Sequence, residues 1–210
     1  MKVLDYESYF NEKLKIRPVD INNLLIIDET KYSRFPKTKL DLEQILIYRI
    51  NKQGYNCDLN DIDVSEITDM SNLFSQFPSF NGDISRWNVS NVENMESMFC
   101  SSDFDGDISR WNVGKVKNMK EMFMYSRFDG DISRWNVSSV VNMELMFAGS
   151  RFNHDIPDWD VSGVTNMRNM FSQGIFDCDI SKWKVSSKTN MHHMFYGCPI
   201  EDHPNKQPKI

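Results

Sequence analysis

The sequence predicts an α/β repeat solenoid, a stack of short strands and short helices closed at its N-terminal end by a helical cap. Two observations predict it. Trp87, Trp111, Trp135, Trp159 and Trp183 stand 24 residues apart, and so do Phe99, Phe123, Phe147, Phe171 and Phe195. Within each period the apolar residues follow two different local spacings, and a fixed period of this length is the mark of stacked supersecondary units.

Phe80, Phe104, Phe128, Phe152 and Phe176 keep the same step, as do Met95, Met119, Met143, Met167 and Met191. Five full units therefore run 80–103, 104–127, 128–151, 152–175 and 176–199. Residues 56–79 form a degenerate unit with Leu59, Val64, Met70 and Phe74 at the matching positions. The organisation read from this is an N-terminal arm and helical cap over residues 1–55, six units over 56–199, and a polar C-terminal tail over 200–210.

Each unit divides in two. Ile84, Trp87 and Val89 suit a short strand after the Asn81-Gly82 turn. Val92, Met95, Met98 and Phe99 recur at one-face helical spacing, with Ser90 and Glu93 at the separation of a capping box. One coil cannot bury its apolar face alone, so stacked coils are expected to share a core and one parallel sheet. In the cap, Leu42, Ile45, Leu46 and Ile50 predict a helix over 38–53 that Gly54 ends. Residues 21–28, INNLLIID, are apolar enough for a buried strand or a short amphipathic element.

The units FNGDISRWNVSNVENMESMF, FDGDISRWNVGKVKNMKEMF and FDGDISRWNVSSVVNMELMF resemble the BspA-like leucine-rich repeats of bacterial surface and uncharacterised proteins. The stretch TKLDLEQILIYRINKQGYNCDLNDIDVSEITDMSNLF looks like the lead-in to such arrays, so the resemblance spans residues 37–199. It implies a leucine-rich-repeat-like solenoid and, for secreted members, adhesion to host or neighbouring-cell proteins. Residues 1–36 lie outside it, and fold does not dictate function.

Charge and composition exclude several classes. A net charge of −6 with no basic stripe argues against nucleic-acid binding. No apolar run reaches the length of a bilayer span, so membrane insertion is not expected. The opening MKVLDYESYFNEKLK carries acidic residues where a signal peptide has an apolar core, which favours the cytoplasm. Cys57, Cys100, Cys178 and Cys198 have neither metal-site spacing nor a pairing framework, and free thiols beside thirteen methionines suit a reducing compartment.

Several residues invite a site. The ladder Asp83, Asp107, Asp131, Asp155 and Asp179 could stack cations, although turn chemistry uses aspartate in the same way. Asn94, Asn118, Asn142, Asn166 and Asn190 are expected to satisfy backbone between coils. Arg86, Arg110 and Arg134 would form an exposed stripe for an acidic partner, broken by Asp158 and Lys182. The five tryptophans and the Phe99-to-Phe195 series are expected in the core. His192-His193 are adjacent and point apart on a helix, so no metal site and no cofactor is expected. The sequons at Asn88 and Asn136 follow from the repeat itself.

Catalysis needs an asymmetric nucleophile, base and oxyanion set, and near-identical units provide none, so no enzyme is expected. The functional reading is a non-catalytic scaffold that docks a protein through its least uniform exposed positions, Tyr125, Arg127, Arg151 and His154. The alternatives are a structural protein that self-associates or joins a particle through residues 1–36, and an adhesin if the chain is exported.

Overall fold

The structure, a computed structural model, describes residues 34–209. The expected element at 21–28 and residues 1–33 of the arm over 1–36 lie outside those residues.

The first element is helix α1, Lys39–Gln53. Thr38 starts it: its hydroxyl accepts from the Asp41 N–H at 3.2 Å, and the Asp41 carboxylate accepts from the Thr38 N–H at 2.9 Å. Gly54, at φ 87°, ends it, with its N–H bonded to the Ile50 carbonyl. Leu42, Ile45, Leu46 and Ile50 are buried. Polar ties fix the helix to the first coil. Lys39 Nζ donates to Ser71 Oγ at 2.7 Å, and the Arg49 guanidinium makes a fork to both Asp61 oxygens at 3.0 Å each.

The repeats do not form an α/β solenoid. Among the described residues there is no sheet, and α1 is the only α-helix. The parallel pairing reduces to isolated bridges, two at the first interface (Asp58 to Asp83 and Asp69 to Asn94) and one at each later interface, such as Asn94 to Asn118 and Asn118 to Asn142. Each coil is instead a chain of tight turns. In the first full unit the N–H groups of Trp87, Val92 and Met98 bond the carbonyls of Ile84, Val89 and Met95 at 3.1, 2.9 and 3.3 Å.

The expected helix fails for two physical reasons. Ser97 and Ser101 sit at φ 54° and 55°, in the left-handed region that a right-handed helix cannot contain. The alternate N–H groups that would bond back four residues point across the stack instead. Met95, Ser97, Phe99 and Ser101 donate to Asn118, Lys120, Met122 and Met124 of the next coil at 2.7–2.9 Å. The spacing of Val92, Met95, Met98 and Phe99 marks inward turns of a coil, not one face of a helix. The capping box is absent too, since the Glu93 carboxylate pairs with Lys117 Nζ at 2.7 Å in the following coil.

The core consists of columns along the stack. Trp87 and Trp111 lie 6.4 Å apart at 5° between planes, and Phe99, Phe123 and Phe147 repeat at 5.7 Å. Phe104 fits against Phe99 at 4.3 Å, which joins the end of one coil to the start of the next. The tryptophans are 3–4% exposed. Phe99, Phe123, Phe147 and Phe171 are buried, whereas Phe195 is only half-buried, with no further coil over it among the described residues.

The C-terminal segment packs back onto the last coil. Two short 3-10 turns, Pro199–Asp202 and Pro204–Lys206, bring the Lys206 carbonyl to the Ile180 N–H at 2.9 Å. Asp177 accepts from Lys206 Nζ at 2.8 Å and meets His203 Nδ1 at 2.7 Å. Ile200 is fully buried, so this polar stretch covers one half of the coil.

Candidate functional site

The side chains that set the stack are Asn and Asp in recurring columns. Asp83, Asp107, Asp131 and Asp179 each accept the N–H of the serine two residues on, at 2.9 Å. These Asx turns hold the carboxyls below the ordinary aspartate range. For Asp83, Asp131 and Asp179 the main cause is the serine N–H, and for Asp107 it is the Ser109 hydroxyl. Asp155 is different, because Pro157 occupies the donor position and has no N–H.

Asn94 does the same a turn later, taking the Glu96 N–H at 3.1 Å, and the Nδ2 of Asn118 reaches Asn94 Oδ1 at 3.1 Å. A further column escaped sequence reasoning. The side-chain oxygens of Asn81, Asp105, Asp129 and Asn153 accept the N–H of the residue 24 positions on, at 2.9–3.0 Å. The strict Asn-or-Asp choice at the second place of each unit was the signal for it.

The expected binding residues do not converge on one pocket. Arg86, Arg110 and Arg134 are exposed at equivalent places in successive coils. Arg86 reaches Asp58 at 4.0 Å, and with Arg49, Asp58, Asn60 and Asp61 it lines an open pocket beside α1. Arg127 pairs with Asp103 at 2.9 Å, His154 lies 3.6 Å from Asp129, and Arg151 is exposed. Tyr125 is half-buried on another column: its ring lies across Gly149, and its hydroxyl donates to Gln173 Oε1 at 3.4 Å.

Among the described residues no three His, Cys, Asp or Glu side chains are grouped to hold a metal ion. His192 and His193 are exposed, edge to face at 3.9 Å. None of the four cysteines is in a disulfide. Burial first, and then the neighbouring Asp155, pushes the Cys178 thiol up to about 12, and burial raises Cys198 to about 11, so neither is an activated thiolate. Among the described residues no helix is long and apolar enough to cross a membrane.

What the geometry defines is a repeat protein whose Trp, Phe and Met columns recur from coil to coil, with variation outside and at the buried column Ser97, Glu121, Leu145 and Asn169. The chain belongs to the family described as Mycoplasma protein of unknown function, DUF285, whose model matches residues 45–151 and 124–206. No curated protein matches the chain, and no solved structure does.

Proposed function

We propose that the chain is a non-catalytic protein-binding scaffold that works in a reducing, cytoplasmic setting. One observation carries the reading: the repeated apolar side chains fill the core and the repeated Asp side chains close turns, which leaves Arg86, Arg110 and Arg134 exposed at equivalent places in successive coils. Arg86, Arg110 and Arg134 form a cationic stripe, and Arg127, Arg151 and His154 form a second group at the joins between units. The lack of a disulfide among the four cysteines supports the compartment.

The partner's chemistry follows from the stripe. Guanidinium groups in register favour carboxylates presented along an extended surface, and exposed charges of this kind act mainly on association rate and selectivity. The test is affinity capture from the native source with the full-length chain and with its R86E/R110E/R134E variant, followed by measured binding of the recovered protein. One stoichiometric partner whose affinity falls at least tenfold in the variant is the expected result. Recovery of the bait alone would overturn the scaffold reading and move self-assembly ahead.

A further inference from the structure

We infer that the open half of the last coil is a docking edge for an extended, acidic peptide segment of a partner protein. This deepens the scaffold reading and rests on it. At each of the four interfaces between full coils the same alternate N–H groups donate forward. Across the last of them Met167, Asn169, Phe171 and Gln173 donate to Asn190, His192, Met194 and Tyr196 at 2.8–3.1 Å.

In the final coil no further coil among the described residues lies in front of that row. The N–H groups of Met191, His193 and Phe195 find no acceptor among the described residues, and only the Gly197 N–H is taken, by Glu201 Oε2 at 2.7 Å. The C-terminal segment covers the other half, around Phe176 and Ile180. Met191 and Phe195 are half-buried where their counterparts in earlier full coils are buried. Three parallel donors at two-residue steps beside two apolar side chains fit an extended strand that offers alternate carbonyls.

Charge selects the occupant. Lys188 stands where earlier full coils have the buried Val92, Val116, Val140 and Val164. The column that ends at His192 alternates in sign, Glu96, Lys120, Glu144, Arg168, with Glu96 to Lys120 at 3.8 Å and Glu144 to Arg168 at 3.7 Å. His192 stands where that alternation would place a carboxylate, so Arg168, His192 and the exposed Lys188 leave this end of the stack short of negative charge, which an acidic segment would supply. A second copy set edge to edge would face donors with donors, and the opposite end of the stack is tied to α1.

The chain itself supplies matched probes. A peptide of residues 89–101 with Cys100 replaced by serine carries Glu93 and Glu96, whereas residues 113–125 carry Lys115, Lys117 and Lys120 against Glu121. Fluorescence anisotropy with the full chain should show the first peptide binding and the second binding at least tenfold more weakly. Lys188→Glu, an exposed change, should weaken the first peptide roughly fivefold. Amide exchange should show the Met191, His193 and Phe195 N–H groups protected only in its presence. Equal binding of both peptides, binding without protection of those amides, or no binding at millimolar peptide would each overturn the inference. Concentration-dependent dimerisation that Lys188→Glu abolishes would also overturn it, in favour of a second copy. If the captured partner binds Lys188→Glu as tightly as the native chain, the edge is rejected while the scaffold reading stands.

Discussion

The indole Nε1–H of Trp135 donates to the carbonyl of Ile108, 27 residues earlier, at 3.1 Å. The same bond recurs from Trp87, Trp111, Trp159 and Trp183, so each tryptophan fills its own coil and closes a carbonyl in the one before. Removing the ring removes both contributions. Trp135→Ala should cost about 3–5 kcal/mol, and Trp135→Phe, which keeps much of the volume and leaves the Ile108 carbonyl with the Trp111 N–H alone, about 1–2 kcal/mol. Urea denaturation of the two variants checks the order.

Gly149 is required by its neighbour as well as by its backbone. At φ 64° a side chain is strained, and a Cβ there would stand 2.4 Å from the Tyr125 ring. Gly149→Ala should therefore destabilise by roughly 2–4 kcal/mol. Adding Tyr125→Ala should recover the steric contribution only. A double-mutant cycle with a coupling of at least about 1 kcal/mol is the expected outcome, since the two residues touch.

The Asx turns make stability depend on acid. Asp83, Asp107, Asp131 and Asp179 titrate below the ordinary 3.8 in the folded chain, so their turns are fully stabilising above that value. Stability should fall as the pH drops through 3.8 towards the lower folded values, because the unfolded chain takes up protons first. Asp177 adds to the same window, held low by Lys206 and then His203. Melting temperatures from pH 7 to pH 3 should drop most steeply below about pH 4. Asp131→Asn, which keeps an Asx acceptor without a titrating group, should flatten that slope.

The period and the inward Trp, Phe and Met columns, Phe195 apart, were legible in the sequence, because such residues at a fixed step have little use other than stacking. The secondary structure was not. Turns that carry Val92, Met95, Met98 and Phe99 inward produce the same spacing as a helix face, and hydrophobic periodicity cannot separate the two. Left-handed backbone was hidden because Ser97, Glu121, Leu145 and Asn169 occupy it at one column, where a glycine would have announced it. Of the candidate site, the Arg86, Arg110 and Arg134 stripe could be read from register alone. The open donors of Met191, His193 and Phe195 could not, since they follow from which half of the last coil the C-terminal segment covers.

That hidden backbone gives a test whose sign separates a helix from the turn-built coil. Ser101, at φ 55°, shares its column with Tyr125, Gly149, Gln173 and Gly197, all of them left-handed. In a helix, serine to glycine costs stability through backbone entropy. Here glycine relieves a left-handed residue, a gain of roughly 1–2 kcal/mol that exceeds the entropy lost from restricting the freer unfolded chain. The Ser101 N–H, which donates to the Met124 carbonyl at 2.7 Å, is unchanged by the substitution. Ser101→Gly should therefore raise stability by about 0.5–1 kcal/mol in urea denaturation. A loss of similar size would reinstate the helix and with it the reading of each coil as a strand and helix pair.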